Sequence, residues 1–264
     1  MVSGINAAAS GMMAQQLNID VISNNLANVN TPGFKELIPV FKRVSDIALQ
    51  EKSKEEGFNQ DKNLGSLSTG STLDSTIIDL KQGAMRKTDN KLDFAINGNG
   101  FFVVGTENGD NYTRNGSFTL NEEGTLVTKD GYPVLDESGS AIKIGQGNTN
   151  TGISFNKLNV APDGKIFLDK QPVGKLKIVD FEKPADLITT GNALFKTANS
   201  DIKPVEAKNG KVEQGFVEGS NSNVIETMIN TISATRTYES LSKVVKTTEM
   251  TLGKAVNEVG RVIQ

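Results

Sequence analysis

The feature that most constrains this sequence is a seven-residue repeat of apolar side chains at each end of the chain. Near the N-terminus the repeat runs in two registers, which contain Ile5, Met12, Ile19, Ile22 and Leu26. Near the C-terminus the same spacing relates Val224, Tyr238, Leu241, Val245, Leu252 and Val259. This period aligns apolar side chains along one stripe of a helix, as in a coiled coil. Each end is therefore predicted to be an α-helix with an apolar seam.

The flanking residues predict where both helices begin and end. Pro32 disfavours a helical conformation in the residue before it, and Gly33 can adopt a positive φ, so the first helix is predicted to span residues 3–29. Asn223 and Glu226 form a variant of the capping box at the start of the second helix. This helix is predicted to continue to residue 262, which makes it about 58 Å long at about 1.5 Å per residue.

The middle of the chain changes to a period of two. Asn-Gly and Asp-Gly pairs recur between short runs rich in β-formers, a pattern typical of antiparallel hairpins. The fold class is therefore α+β, with helical ends that pair as a coiled-coil-like inner domain and a central antiparallel, hairpin-rich β domain. The predicted domains are residues 1–35 together with 222–264 (helical inner domain), 36–74 (partly flexible connector) and 75–221 (β-rich outer domain).

An apolar seam needs a partner, because an isolated helix is marginally stable in water and the seam stays hydrated until another surface covers it. The nearest partner is the other end of the same chain, followed by the ends of other copies. The alternative is that both helices pack on the β domain as ordinary amphipathic helices. A helix of about 58 Å would overhang a domain of about 145 residues, whose radius of gyration is near 15 Å. The sequence therefore favours projecting helices and a homo-oligomer.

Composition excludes several classes of function. The chain has no Cys and no His, which removes disulfides, thiolate and imidazole metal ligands, and the commonest general base. We predict no catalytic, cofactor or metal site. A net charge of -3 offers no basic field for nucleic acid. Four aspartates could on paper form a glycosidase pair, but turn formation is the favoured role because each lies in or near a Gly-containing turn: Asp130, Asp136, Asp163 and Asp169.

The sequence also bears on membranes and export. No apolar run approaches the length of a membrane span. The first charged residue is Asp20 and the first basic residue is Lys35, so the positive region of a signal peptide is absent from the N-terminal segment. We therefore expect no membrane span, and export without a cleaved signal peptide if the protein leaves the cytoplasm.

Two long terminal motifs, in the correct order, resemble those of flagellar rod and hook proteins. The N-terminal motif is Ile22-Ser-Asn-Asn-Leu-Ala-Asn-Val-Asn-Thr-Pro-Gly-Phe-Lys35. The C-terminal motif is Glu213-Gln-Gly-Phe-Val-Glu-Gly-Ser-Asn-Ser-Asn-Val224, followed by Met228-Ile-Asn-Thr-Ile-Ser-Ala-Thr-Arg-Thr-Tyr-Glu239. Two central segments resemble the β domain of the same family: Leu92-Asp-Phe-Ala-Ile-Asn-Gly-Asn-Gly-Phe-Phe102 and Tyr112-Thr-Arg-Asn-Gly-Ser-Phe118.

The resemblance implies a structural subunit whose helical termini line a central channel while the β domain faces outward. It also implies a location in the flagellar basal body, assembly with other rod, hook and ring proteins, and delivery by the flagellar type III export apparatus. Length favours a distal-rod type within the family, with a proximal-rod or hook type as the alternative. The segments Asn30-Thr-Pro-Gly-Phe-Lys35 and Asn223-Val-Ile225 depart from the distal pattern and leave distal and proximal types open. From another class, a secreted β-domain binding module that forms a small oligomer remains an alternative.

The N-terminal motif supplies a second set of candidate site residues, whose predicted role is in register or signature: Asn24, Asn25, Leu26, Asn28, Thr31, Gly33 and Phe34. Asparagine is a poor helix former, yet several occupy the last turns of the predicted helix. Their amides either cap a fraying helix end or hydrogen-bond to adjacent subunits and set the register, as buried asparagine does in coiled coils.

Overall fold

The computed structural model describes residues 2–51, 62–144, 158–181, 187–199, 202–207 and 209–261. Helix α1 (Val2–Ala27) and helix α2 (Val224–Arg261) occupy the two ends, and strands fill the sequence between them. The described strand pairings of the middle region are antiparallel. The predicted α+β class, with helical ends and an antiparallel middle, is therefore confirmed.

The chain divides into two compact units. Unit 1 comprises residues 1–26, 37–77 and 225–264, and unit 2 comprises residues 27–36 and 78–224. The sequence placed residues 27–35 with the helices, but they cluster with unit 2, where Phe34 and Lys35 are buried. The segment 36–74, predicted as a connector, contributes two paired strands to unit 1: β1 (Leu37–Glu51) and β2 (Lys62–Ile78).

Unit 2 contains the remaining strands. They are β3 (Met85–Lys87), β4 (Phe94–Asn97), β5 (Phe101–Thr106), β6 (Gly109–Thr113), β7 (Phe118–Leu120), β8 (Leu126–Thr128), β9 (Leu158–Val160), β10 (Lys165–Leu168), β11 (Gln171–Lys175), β12 (Ile178–Asp180), β13 (Leu187–Gly191), β14 (Leu194–Thr197), β15 (Val205–Glu206), β16 (Lys211–Gln214) and β17 (Phe216–Glu218). The largest sheet has the order β13-β14-β6-β5-β12-β15, and a second has the order β11-β10-β9. Two-stranded pairs join β16 to β4, β17 to β3 and β7 to β8.

Strand β5 is covered on both faces, which makes it central to the core of unit 2. Its Phe101 ring contacts the Phe181 and Phe195 rings at centroid distances of 5.8 and 5.6 Å. The next residue points to the opposite face, where the Phe102 ring meets Phe118 at 5.3 Å. Unit 2 therefore has its own hydrophobic core.

Two pairings in unit 2 bring distant parts of the sequence together. Strand β16 pairs with β4 and β17 pairs with β3, so the segment just before α2 lies beside residues 85–97. Strands β11 and β12 are separated by residues 176–177, where Leu176 forms an isolated bridge with Asp136. These pairings place the first part of the C-terminal motif beside strands β3 and β4.

Candidate assembly surface

The seam predicted on α2 corresponds to its least exposed face. Buried and half-buried positions alternate by three and four residues along Thr227, Thr231, Ala234, Tyr238, Leu241, Val245, Thr248 and Leu252. Of the other two predicted seam residues, Val224 is 38% exposed, and Val259 lies on α2 but outside the described side chains. A spacing of 3.5 residues is the period of a helix face that packs along its length against another element.

The seam on α1 has a similar distribution of exposure. Ile22 is buried, whereas the other predicted seam residues are half-buried: Ile5, Met12, Ile19 and Leu26. Two glycines mark close approaches within unit 1. A Cβ on Gly11 would lie 3.3 Å from Leu241 Cδ1 of α2, and a Cβ on Gly70 of β2 would overlap Ser10 of α1. Helix α1 therefore contacts both α2 and β2.

A second group of apolar side chains on the helices remains exposed. Four of them lie in the first three turns of α2 at helical spacing, and their exposed fractions are 70, 50, 60 and 55% for Ile225, Met228, Ile229 and Ile232. We call these four residues the α2 face. Helix α1 exposes Met13 and Leu17. The heptad pattern does not include the α2 face, although the i, i+3, i+4, i+7 spacing of its members is a helical signal in the sequence.

The asparagines of the N-terminal motif differ in their surroundings. The Asn25 side chain is buried, its Nδ2 donates to Leu37 O at 2.9 Å, and its Oδ1 accepts from Leu37 N at 3.0 Å. Asn28 Oδ1 accepts from Thr31 Oγ1 at 3.1 Å, while Asn24 is exposed. Asn25 therefore binds the backbone of its own chain at the start of β1, as a peptide group would. A register role between copies stays a prediction for these residues.

Replacing Asn25 with alanine is expected to destabilise unit 1 by about 1–3 kcal/mol, because Leu37 loses both of its partners. The measurement is urea denaturation followed by far-UV circular dichroism. Asn6 lies on the same helix and is exposed, so Asn6→Ala is the matched control and should be neutral or slightly stabilising, since alanine is the better helix former. Equal effects of the two substitutions would contradict the structural role of the Asn25 amide.

Gly33 is required by the geometry of the N-terminal motif. Its φ is +69°, and a Cβ at this position would lie 2.2 Å from Asn115 N. Its own N–H donates to Glu218 O at 2.8 Å. Of the other motif residues, Phe34 is buried and Thr31 is half-buried. The motif therefore fits closely against residues 114–115 and 218 of unit 2.

A buried polar cluster joins three of the motifs. Lys35 Nζ donates to Glu218 Oε1 at 2.6 Å, and Arg114 donates through one terminal nitrogen to Glu218 Oε2 at 3.2 Å. The side chains of Lys35 and Glu218 are fully buried, and that of Arg114 is 4% exposed. Burial lowers the pKa of both cations, while the Glu218 carboxylate acts in the opposite direction. The sequence did not predict this cluster, because lysine, arginine and glutamate are mostly exposed residues.

Further bonds complete the surroundings of this cluster. Lys35 Nζ also donates to Lys81 O at 2.6 Å, and Gly83 N donates to Glu218 Oε1 at 2.9 Å. The Arg114 guanidinium lies 5.2 Å from the centre of the Phe101 ring, within cation–π range. Charges removed from water need this degree of pairing to persist in a core. The cluster is therefore a structural element that binds distant segments of the chain.

The candidate aspartates lie in turns. Asp136 Oδ1 accepts hydrogen bonds from Ser138 N and Ser140 N, both at 2.9 Å, and the Ser138 hydroxyl is the main reason that its pKa is lowered. Asp163 Oδ1 accepts from Lys165 N at 3.2 Å, while Asp130 lies in the Thr128–Tyr132 turn and Asp169 occupies a turn with φ of +51°. The turn role predicted for these residues is confirmed.

Two further properties of the described residues bear on the function. No helix in the described part of the chain combines the length and the hydropathy that a bilayer crossing requires. Within the same residues, no three acidic, histidine or cysteine side chains gather closely enough to hold a metal ion.

Comparison with known proteins gives matches at both ends and in the middle of the chain. The family models that match are the flagella basal body rod protein over residues 5–35, the flagellar hook protein FlgE/F/G D1 domain over residues 95–168, and the flagellar basal body rod FlgEFG protein C-terminal over residues 213–258. These ranges contain every predicted seam residue except Val259, the α2 face and most of the core of unit 2.

Curated relatives match over nearly their full length. The flagellar basal-body rod protein FlgG of Buchnera aphidicola from Acyrthosiphon pisum is 36% identical, over 96% of this chain and 98% of its own. The FlgG protein of Bacillus subtilis is 32% identical, over 97% and 99%. The flagellar basal-body rod protein FlgF of Caulobacter vibrioides is also 32% identical, over 99% and 100%.

Proposed function

The chain belongs to the family of flagellar basal-body rod proteins, and on that premise we propose that it is a distal-type rod subunit that assembles with copies of itself into a torque-transmitting tube. Its role is that of a structural subunit, and the family it belongs to consists of structural proteins rather than enzymes. The tube and the transmission of torque to the hook are what membership of the family implies for this chain.

One observation carries the proposal: the exposed apolar surface is concentrated in unit 1. Among the described residues, only Ile188, Val205 and Val224 are large exposed apolar side chains of unit 2. Unit 1 exposes the α2 face and, on its strands, Ile38, Phe41, Val44 and Ile77. Apolar surface of this extent on a small unit is typical of a protein interaction site. Other copies of the chain would cover it.

The threonines of α2 make its polar seam positions compatible with an apolar contact. Thr231 Oγ1 donates to Thr227 O at 2.8 Å, and Thr248 Oγ1 donates to Val244 O at 2.7 Å. Each hydroxyl is therefore satisfied within the helix, and the methyl group is available for packing. A seam that contains these residues can be buried at a low cost in unpaired polar groups.

The seams of α1 and α2 support a coiled-coil-like inner domain, formed from residues 1–35 and 222–264. The close approach of Gly11 to Leu241 supports contact between the two helices at that level. Residues 36–74 would then act as a partly flexible connector in the free subunit, and residues 75–221 would be the outer domain. Residues 52–61 of the predicted connector lie outside the described residues, and the exposed Ile38, Phe41 and Val44 of β1 favour contact of this strand with other copies.

The distal type is favoured because FlgG proteins from Buchnera and Bacillus match the chain over nearly all of its length. A proximal FlgF-type subunit is the alternative, supported by the Caulobacter relative at 32% identity. The other rod, hook and ring proteins are the proposed partners. The proposed location is the basal body in the cell envelope, reached through the type III export apparatus without cleavage of a signal peptide.

Polar replacement of the α2 face tests the proposal. In the quadruple variant Ile225→Gln, Met228→Gln, Ile229→Gln and Ile232→Gln, the helix should persist because glutamine is a good helix former. Each side chain is worth roughly 1.5–3 kcal/mol when fully buried, so the concentration needed for assembly should rise at least tenfold. Sedimentation of polymerised protein and rescue of motility in a strain lacking the gene are the measurements.

Three exposed polar positions on the same helix, outside the α2 face, provide the matched control, with the substitutions Asn230→Gln, Ser233→Gln and Thr237→Gln. This variant should polymerise like the unmodified chain. Normal polymerisation of the α2-face variant would sink the proposal that this surface is an assembly contact. A discrete small oligomer of the unmodified chain, with no growth into a tube, would favour the secreted binding module instead.

A further inference from the structure

The chain passes between the two units at four places in the sequence. These lie after residues 26, 36, 77 and 224. Three segments of unit 2 border these places: residues 27–36, the stretch that begins at residue 78, and the stretch that ends at residue 224. The side chains of Lys35, Glu218 and Asn221 bond to all three of these segments.

Glu218 and Lys35 hold the segments through buried contacts. The Glu218 carboxylate accepts from Lys35 Nζ at 2.6 Å and from Gly83 N at 2.9 Å, while its backbone oxygen accepts from Gly33 N at 2.8 Å. Lys35 Nζ adds a bond to Lys81 O at 2.6 Å. The Glu218 carboxylate thus bonds to Gly83, which is 135 residues away from it in the sequence, and to Lys35, which is 183 residues away.

Asn221 makes a second set of bonds between the same segments. Its Oδ1 accepts from Glu36 N at 2.8 Å, and its Nδ2 donates to Asp79 O at 2.8 Å and to Lys81 O at 3.2 Å. Asp79 N in turn donates to Glu36 O at 2.9 Å. The carbonyl of Lys81 is shared between Lys35 and Asn221, so the two sets of bonds are linked.

We propose that Lys35, Glu218 and Asn221 form a clamp that opens and closes as one unit, separately from the core of unit 2, and holds together the segments at which the chain enters and leaves that unit. The core residues of β5 and β6 are held by the strand pairing of the large sheet and by apolar packing. Arg114 links them to the clamp, because it bonds to Glu218 and lies over the Phe101 ring. The clamp is polar, and its members depend on one another for partners, so loss of one bond exposes the others.

The clamp has a consequence for a rod subunit, and this consequence rests on the proposed function. Force that is transmitted along the backbone between the units must pass through the segments that the clamp joins. With the clamp closed, these segments share the load through hydrogen bonds that lie across them. With the clamp open, each segment would bear the force alone.

Hydrogen exchange of the full-length, unassembled subunit tests the clamp. In Glu218→Gln, which removes the charge but keeps the shape, the Gly33, Asp79 and Gly83 amides should exchange at least tenfold faster. The Val104 and Tyr112 amides, in β5 and β6, should accelerate by a smaller factor, which reflects the loss of the charge that pairs Arg114. In Asn221→Ala, which leaves Arg114 paired, they should change by less than twofold. The matched control is Glu213→Gln, which changes a half-buried glutamate whose Oε1 accepts from Asn97 Nδ2 at 2.7 Å, and in this variant the clamp amides should keep their rates.

Asn221→Ala tests whether the clamp acts as one unit. Asn221 does not bond to Gly33 or Gly83, so faster exchange of those two amides in this variant would support a single cooperative opening. Faster exchange confined to Glu36 and Asp79 would overturn it, as would an equal acceleration of every amide, core included, in both variants. Because the measurement uses unassembled protein, its failure would leave the proposal of rod assembly standing.

Discussion

Deletion of residues 2–26, or of residues 225–264, is expected to abolish rod assembly and to leave unit 2 folded. Unit 2 keeps its core and the N-terminal motif from residue 27 onward in both variants, because neither deletion removes a residue of that unit. The deleted segments carry every predicted seam residue except Val224: the first contains Ile5 to Leu26 and the second Tyr238 to Val259. Sedimentation of polymerised protein and cooperative unfolding of the remainder are the two measurements.

The two measurements together distinguish a specific loss of assembly from a general loss of folding. If unit 2 loses its cooperative unfolding transition when one segment of unit 1 is removed, the core of unit 2 is not self-sufficient, and the loss of assembly cannot be assigned to the helices. If either truncated chain still forms rods, the helices are not the assembly contact. The second deletion also removes the α2 face, so its effect should equal or exceed that of the quadruple glutamine variant.

Gly33→Ala is expected to destabilise unit 2 by about 2–5 kcal/mol. A left-handed conformation costs a residue with a side chain about 1–2 kcal/mol, and forced overlap in a packed site adds about 1–3 kcal/mol. The overlap is severe because the atoms that a Cβ would meet belong to the backbone, with Asn115 N at 2.2 Å and Arg114 C at 2.5 Å. Denaturant unfolding of the full chain, followed by a probe of unit 2, measures the change.

Gly139 is the matched control for this substitution. Its φ is +82°, close to that of Gly33, and a Cβ there would have no neighbour within 4 Å. Gly139→Ala should therefore show the conformational cost alone, about 1–2 kcal/mol. Equal losses at the two positions would mean that the backbone near Asn115 yields to the added methyl group, and that close packing of the motif is not what requires glycine.

Local periodicity predicted much of the fold. The heptad spacing predicted helices over residues 3–29 and 224–262, and the structure has them at Val2–Ala27 and Val224–Arg261. The Asn-Gly and Asp-Gly pairs predicted antiparallel hairpins, which the pairing of β5 with β6 confirms. These features depend on side-chain spacing and backbone preferences over a few residues, so they can be predicted from the sequence alone.

Residue type was a poorer guide to the site. In the sequence, Lys35 is only the last residue of the N-terminal motif. In the structure, the Lys35 side chain is fully buried against Glu218, which is 183 residues away. It treated Asn25 as a cap or a contact between copies, yet its amide binds Leu37 of the same chain. Nothing in the local sequence distinguishes these polar residues from solvated ones, because their burial depends on which segments meet in space.

By itself, the sequence determined the helices, their seams, the hairpin-rich middle and the family, since each depends on short-range periodicity or on motifs that are contiguous in the chain. Only the tertiary structure decided that residues 27–36 group with unit 2, that Glu218 joins the two ends of that unit, and that the α2 face stays exposed. The physical reason is that a buried ion pair and an uncovered apolar face are properties of neighbours in space. Those neighbours are set by the pairing of strands such as β3 with β17, which lie far apart in the sequence.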